Sequence, residues 1–134
     1  IKQKFSITNE ETPRIIDPRN SFIMTSLLKE VIKTGTARKA KTLNREDIAG
    51  KTGTTNELVD AWFAGFNPDI VTVTWMGYDQ PRTLGKHESG SRAALPIWID
   101  YMKPIINEYP TKMLETPSGI IPLKITDLTT VSKF

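Results

Sequence analysis

The sequence contains no cysteine among its 134 residues. That absence excludes disulfide bonds, thiolate catalysis and cysteine-based zinc sites, and it is compatible with a periplasmic protein. There is a single histidine, His87, in a polar segment that has no histidine or acidic cluster at metal-ligand spacing. We therefore expect His87 to be an exposed loop residue, neither a catalytic base nor a metal ligand.

Long hydrophobic runs are missing as well. No stretch reaches the roughly 20 apolar residues that span a membrane, and no secretory signal peptide is visible. Because the sequence starts at Ile1 without a methionine, we expect a piece of a longer chain whose targeting segment lies upstream. The formal net charge is +3, and the basic residues are scattered apart from Arg38, Lys39 and Lys41, which argues against nucleic-acid binding.

Hydrophobic residues make up 38% and charged residues 25% of the chain, which is typical of a globular domain. A first helix is predicted over 21–34, with Asn20 or Ser21 as its N-cap and Gly35 just after its end. A second helix is predicted over 92–109, where Pro96 suits the first turn and Pro104 is expected to kink or end the helix. The expected apolar faces are Met24, Leu27, Leu28 and Val31 on the first helix, and Leu95, Trp98, Tyr101, Met102 and Ile105 on the second.

Three strands are predicted between these helices, over 47–55, 60–66 and 70–78. Asn67-Pro68-Asp69 is a turn signal, so the last two strands are expected to form an antiparallel hairpin. The predicted fold class is α+β, with a three-stranded antiparallel sheet covered by helices. Weaker strand signals occur around Phe5 and Ile7 and over 120–125.

The distinctive motif is Gly50-Lys51-Thr52-Gly53-Thr54-Thr55. A phosphate-binding loop would need a glycine at position 45, which is Arg45, so we reject that interpretation. Lys-Thr-Gly also occurs in the serine acyltransferases that act on D-alanyl peptides and β-lactams. An ammonium and threonine hydroxyls can bind a substrate carboxylate, and a glycine lets the substrate backbone lie along the strand. On its own, the tripeptide could equally be an exposed edge strand.

The flanking segments resemble the class A high-molecular-mass penicillin-binding proteins, which are bifunctional peptidoglycan synthases. The resemblance lies in 47–56 (DIAGKTGTTN) and 60–68 (DAWFAGFNP), and it extends to 17–28, 75–79 and 93–102. Over about 14–125 the chain is similar to the C-terminal part of the transpeptidase domain. The Thr54-Thr55-Asn56 ending and the 84–86 loop are most similar to the Gram-negative one-A type.

The resemblance implies a role for each motif residue. Lys51 lies near the proton-relay partners of the catalytic serine, and Thr52 and Thr54 bind the terminal carboxylate of the peptide or of a β-lactam. The N–H of Thr54 forms half of the oxyanion hole. Gly53 and Thr55 complete the substrate-binding set, although packing is an equal alternative for Thr55 and for Asn56. No cofactor and no metal are implied.

The resemblance also implies an architecture and partners. Residues 1–109 belong to the transpeptidase domain and 110–134 form a tail. The partners are the peptidoglycan stem peptide, β-lactam antibiotics and the upstream portion of the same domain, at the periplasmic face of the inner membrane. The alternatives are a non-catalytic module on this fold and a serine β-lactamase fragment.

Two further motifs of the family, Ser-x-x-Lys and Ser-x-Asn, are not convincingly present. A Ser-x-x-Lys does occur at Ser26 to Lys29, but the gap of 22 residues to Lys51 is too short for the family's order. We also expect Ser26 and Lys29 to lie on the solvated face of the first helix, so we reject Ser26 as a nucleophile.

Asp60 is expected to be a solvated residue at the start of a strand. Five aromatic residues are expected in the core: Trp62, Phe63, Phe66, Trp75 and Trp98.

Overall fold

The computed structural model describes residues 15–123, and the weak strand signal at Phe5 and Ile7 lies outside them. The first helix, α1, spans Pro18–Lys33. Its cap is Asp17, whose side chain accepts the backbone N–H of Arg19 at 2.8 Å, and Pro18 occupies the first turn. The predicted cap at Asn20 or Ser21 is therefore wrong, because Asp17-Pro18 already supplies a complete start signal.

The sheet has three antiparallel strands, as predicted, and their order is β1-β2-β3. They are β1 (Ala49–Thr54), β2 (Ala61–Phe66) and β3 (Val71–Met76), each shorter than its predicted range by one to three residues. The turn between β2 and β3 is closed by Asn67, whose side-chain oxygen accepts the backbone N–H groups of Asp69 and Ile70 at 3.2 and 2.7 Å.

The second helix is preceded by a five-residue π-helical turn at Gly90–Ala94, and α2 spans Leu95–Ile106. The helix therefore ends two residues after Pro104. Its buried residues are Leu95, Trp98, Met102 and Ile106. The predicted apolar face of this helix wrongly included Tyr101, which is 55% exposed, and it omitted Ile106, which is buried.

The core lies between one face of the sheet and α2. Phe63 and Trp98 are fully buried and meet edge to face with ring centroids 5.0 Å apart. The prediction of a core position is wrong for Trp62 and Trp75, which pair on the opposite face of the sheet and are 42% and 46% exposed. Successive strand residues point to opposite faces, so these two aromatic residues cannot share a face with Phe63.

Helix α1 packs beside β1 through Ile32, which is buried, and Val31, which contacts the core. Two other residues of its predicted apolar face, Met24 and Leu27, are 57% and 58% exposed. The face prediction is therefore wrong for the first half of α1, because no described element covers that side.

The segment after α2 runs back along the molecule without forming a strand at 120–123, and the rest of that predicted strand lies outside the described residues. Arg45 donates to the carbonyl oxygens of Ile106, Tyr109 and Pro110 at 3.1, 2.7 and 3.2 Å. These bonds hold the end of α2 and the start of the segment against the residues before β1. Neither helix within residues 15–123 is both long and apolar enough to cross a membrane.

Candidate carboxylate-binding strand

Strand β1 carries the Lys-Thr-Gly motif and lies at one edge of the sheet. Thr52 and Thr54 are two residues apart, so their side chains share one face, while Lys51 and Gly53 lie on the other. Opposite them in β2, Phe63 and Ala61 are the register partners of Thr52 and Thr54, and both are fully buried. The two threonines thus border the covered face of the sheet at its open edge.

The backbone N–H and C=O groups of β1 face away from β2 at the same two positions, where the carbonyl oxygen of Thr52 accepts a hydrogen bond from Lys51 Nζ. Thr55 N–H donates to Asp60 O at 3.1 Å, just beyond the β1–β2 ladder. In an antiparallel pair the residues that bond to the partner alternate with those that do not. Because Thr55 is a bonding position, Thr54 and Thr52 are non-bonding positions, and their N–H and C=O groups point to the open edge. An extended peptide could add to β1 there as a further strand.

Among residues 15–123, the hydroxyl groups of Thr52 and Thr54 each have one partner. Thr52 Oγ1 lies 2.8 Å from Thr36 Oγ1, in the loop after α1. Thr54 Oγ1 accepts the backbone N–H of Gly90 at 3.0 Å. Sequence reasoning missed both partners, since Thr36 and Gly90 lie 16 and 36 residues from the threonines they contact and no local pattern links them.

Gly90 lies unusually close to β1. A Cβ atom at this position would come within 2.5 Å of the carbonyl oxygen of Gly53, and closer still to that of Trp62. Only glycine therefore allows the start of the second helical segment to reach the motif. On the other face, a Cβ at Gly53 would lie 3.2 Å from the Cβ of Trp62, a tight contact.

The ammonium group of Lys51 is exposed, and its Nζ donates to the carbonyl oxygen of Thr52 at 2.9 Å. Within residues 15–123, no carboxylate forms an ion pair with it. The Lys51 side chain thus lies beside the open edge of β1. Two donors of different kinds, ammonium and hydroxyl, are thus available for a carboxylate.

Thr55 and Asn56 follow the strand. Thr55 Oγ1 accepts the N–H of Asp60 at 2.8 Å, which closes the connection between β1 and β2. Asn56 is exposed at the start of a short 3₁₀ turn. For Thr55, this bond supports the structural alternative over direct contact with a ligand.

A cavity of about 680 Å³ lies beside Thr36. Three of its lining side chains are cationic (Arg38, Lys39 and Arg92), and one, Glu88, is acidic. Positive charge next to a row of hydroxyl donors attracts anions rather than cations. In the described part of the chain no three His, Cys, Asp or Glu residues converge as a metal site would require.

Ser26 and Lys29 are only half-buried on α1, which differs from the solvated position that we expected. The hydroxyl of Ser26 donates to the carbonyl oxygen of Phe22 in its own helix at 2.8 Å. Its proton is therefore held by a carbonyl oxygen, which is not a base, and this supports rejecting Ser26 as a nucleophile on different grounds.

Two other singled-out residues have clear positions. His87 is exposed, as predicted, and has a positive φ of 73°. Asp60 is not simply solvated, because its Oδ1 accepts the indole N–H of Trp75 at 2.9 Å. That bond spans β2 and β3 at the end of the sheet, so Asp60 has a structural contact that the sequence did not reveal.

Comparison with known proteins identifies relatives of this chain. The chain is 50% identical over 131 residues to penicillin-binding protein 1A of Pseudomonas aeruginosa. The matched region covers 96% of this chain and 16% of that protein. It is 45% identical over 115 residues to penicillin-binding protein 1A of Neisseria lactamica, covering 86% of this chain and 14% of that protein. The chain thus spans about a sixth of the length of the curated relatives that it matches.

The fold leads to the same group of proteins. The crystal structure of penicillin-binding protein 1A from Haemophilus influenzae superposes with a TM-score of 0.77 and 38% sequence identity, over 81% of this chain and 18% of that one. A search of protein-family models finds no match. The predicted α+β fold is confirmed, and by sequence and fold the chain belongs to the penicillin-binding protein 1A family.

Proposed function

We propose that this chain is part of a serine D,D-transpeptidase that cross-links peptidoglycan stem peptides and is acylated by β-lactams. The observation that carries the proposal is the open edge of β1. There the hydroxyls of Thr52 and Thr54, the outward N–H of Thr54 and the exposed ammonium of Lys51 occupy one strand. The identity of 44–50% to penicillin-binding proteins 1A supports it.

In the proposed reaction, the stem peptide adds to β1 as an extended strand. Thr52 and Thr54 donate hydrogen bonds to the terminal carboxylate, and Lys51 adds positive charge. Gly53 leaves the strand open to the substrate backbone, and Thr55 borders the site while closing the β1–β2 connection. The N–H of Thr54 stabilises negative charge on the carbonyl oxygen between the two terminal D-alanines.

The nucleophile is a serine of a Ser-x-x-Lys motif in the upstream portion of the same domain, which also carries Ser-x-Asn. Its oxygen bonds to the carbonyl carbon, the C–N bond breaks, and D-alanine leaves with the proton that the serine gave up. An amine of a neighbouring stem then bonds to the acyl carbon, the C–O bond to the serine breaks, and the proton that the amine loses returns to the serine oxygen. A β-lactam follows the first step and stops there, because its amide and carboxylate imitate the D-Ala-D-Ala end.

We also propose the domain boundaries and location that the family resemblance implies. Residues 1–109 belong to the transpeptidase domain and 110–134 to a tail, of which residues 110 and 112 are held by Arg45 and Asp47. The site faces the periplasm at the inner membrane, with its anchor upstream of this chain. No cofactor takes part.

Fluorescent penicillin tests the proposal. The complete protein that contains this chain is expected to become covalently labelled, while the 134-residue chain alone stays unlabelled. Ser26→Ala in the complete protein is expected to leave labelling unchanged, because the Ser26 hydroxyl is bonded within α1. Labelling of the isolated chain, or its loss in Ser26→Ala, would contradict the claim that the nucleophile lies elsewhere.

The two alternatives give different results in the same assay. A non-catalytic module on this fold leaves the complete protein unlabelled. A serine β-lactamase labels transiently and releases hydrolysed drug within seconds to minutes, whereas a transpeptidase stays acylated.

A further inference from the structure

The hydroxyl groups of Thr52 and Thr54 each form a hydrogen bond with a residue outside β1. For Thr54 the direction of that bond is fixed, since the backbone N–H of Gly90 can only donate. A hydroxyl group has one proton and two lone pairs. Thr54 Oγ1 uses a lone pair for Gly90, so its own proton remains available for a ligand at the open edge.

For Thr52 the partner is another hydroxyl group. Thr36 Oγ1 and Thr52 Oγ1 are 2.8 Å apart, and one of the two protons forms the bond. If Thr36 donates, the proton of Thr52 is free to point outward, as that of Thr54 is. A carboxylate accepts but cannot donate, so its presence selects this direction and forms a continuous chain from Thr36 through Thr52 to the ligand.

Thr36 is well placed for this task because its loop is fixed on both sides. Gly35 N–H donates to the carbonyl oxygen of Glu30, and Ala37 N–H donates to that of Val31, both at 3.2 Å. Ala37 is fully buried in the core, and a Cβ at position 35 would lie 2.8 Å from the carbonyl oxygen of Val31. The hydroxyl of Thr36 is thus presented by a tightly packed turn rather than by a free loop.

We propose that Thr36 is a positioning residue for carboxylate recognition, which donates to Thr52 Oγ1 and directs the Thr52 proton to the open edge of β1. Gly90 N–H does the same for Thr54. This inference rests on the proposed function, since it assigns to Thr52 and Thr54 the carboxylate of the substrate or β-lactam. Thr36 itself does not touch the ligand.

The test compares Thr36→Val, which keeps the shape of the side chain and removes its hydroxyl, with Thr36→Ser, which restores the hydroxyl. The readout is the second-order rate constant for acylation of the complete protein by fluorescent penicillin. We expect Thr36→Val to lower it roughly 3- to 10-fold, the range that a single hydrogen bond supplies, and Thr36→Ser to stay within about 2-fold of the unsubstituted protein. Thr36→Ala gives a second hydroxyl-free variant if valine disturbs the turn.

A double-mutant cycle separates positioning from a general structural effect. In a Thr52→Val background there is no Thr52 hydroxyl for Thr36 to orient, so Thr36→Val is expected to have no further effect on acylation. Equal losses in both backgrounds, or no loss in either, would overturn the proposal. Thr34→Val is the matched control, because the Thr34 hydroxyl donates to the Glu30 carbonyl oxygen at the end of α1 rather than to a residue of β1, and acylation is expected to be unchanged.

Esterified penicillin provides an independent readout. Without a carboxylate, the unsubstituted protein and Thr36→Val are expected to react equally slowly, and a difference that persists with the ester would contradict the assignment to the carboxylate. If the unsubstituted protein is not acylated by penicillin at all, the proposed function itself fails. If it is acylated and Thr36→Val makes no difference, only the inference about Thr36 fails.

Discussion

At the scale of single residues, the most constrained polar contact is the ion pair of Arg45 and Asp47. Their side chains are 7% and 1% exposed, and two hydrogen bonds of 2.9 and 2.7 Å join them. Asp47 also accepts the backbone N–H of Lys112 at 3.0 Å. A buried pair is costly to form, and removing one partner leaves a buried charge uncompensated. Removing one partner of the pair is therefore expected to lower the free energy of unfolding by more than the intact pair contributes to it.

Burial is the largest single influence on Asp47 and raises its pKa. The hydrogen bonds from Arg45 and Lys112 and the charge of Arg45 together outweigh burial, so that the pKa is lowered from its ordinary value of 3.8. A lowered pKa in the folded state means that the stabilisation is present above pH 4 and is lost as the pH falls through the folded pKa. The contact is thus a source of acid sensitivity.

Asp47→Asn in the complete protein is expected to reduce the free energy of unfolding by about 3–5 kcal/mol at pH 7, because it removes the carboxylate that pairs directly with the buried Arg45 guanidinium. The deficit should shrink as the pH falls below 3.8, because the unfolded chain then takes up a proton that the folded aspartate, with its lowered pKa, accepts only at lower pH. Urea denaturation at pH 7 and pH 3 measures both values. Asp17→Asn is the control, since the Asp17–Arg19 pair is exposed and asparagine can still cap α1, so the loss of stability should be much smaller. Equal effects of the two substitutions would contradict this account.

At the scale of secondary-structure elements, Trp98 packs α2 against the sheet. The ring is fully buried against Phe63, and its indole N–H donates to the carbonyl oxygen of Thr72 at 3.2 Å. Gly65 makes room for it, since a Cβ at position 65 would come within 2.6 Å of the Trp98 ring. One side chain thus joins the helix to both β2 and β3.

Trp98→Ala is expected to lower the free energy of unfolding by about 3–5 kcal/mol, because it creates a cavity between α2 and the sheet. Tyr101→Ala, on the exposed side of the same helix, is expected to change it by no more than about 0.5 kcal/mol. Chemical denaturation of the two variants of the complete protein under identical conditions gives the comparison. A similar loss in both would mean that helix formation, and not the packing of Trp98, dominates the attachment of α2.

The elements that the sequence predicted best are those specified by local signals. The strands follow from alternation and from the Asn67-Pro68-Asp69 turn, and the edge position of Lys51 to Thr54 follows from strand order. The exposed Met24 and Leu27 were predicted as core because periodicity reveals an apolar face but not whether anything covers it. The contacts of Thr36 with Thr52 and of Gly90 with Thr54 join distant segments, and a single sequence carries no signal for them.

At the scale of the whole molecule, two apolar surfaces remain without a described partner. One is the outer face of the sheet, with Trp62, Val71, Val73 and Trp75, and the other is the exposed side of α1, with Ile23, Met24 and Leu27. Within residues 15–123 no strand pairs with the outer edge of β3, where backbone groups alternate with those bonded to β2. Surfaces of this kind are rarely left uncovered in a monomeric soluble protein.

We therefore expect the 134-residue chain, expressed alone, to self-associate or to unfold without a cooperative transition, whereas the complete protein should cover these surfaces with the upstream portion of its domain. Analytical ultracentrifugation and urea denaturation of the isolated chain measure the two properties. Val71→Lys with Val73→Lys should reduce self-association, because charge on an edge strand prevents further pairing, without making the chain more stable. In the complete protein the same pair should be destabilising, since the lysines would then be buried. A chain that proves monomeric, cooperatively folded and stable by itself would contradict the expectation that the open face of the sheet requires a covering segment.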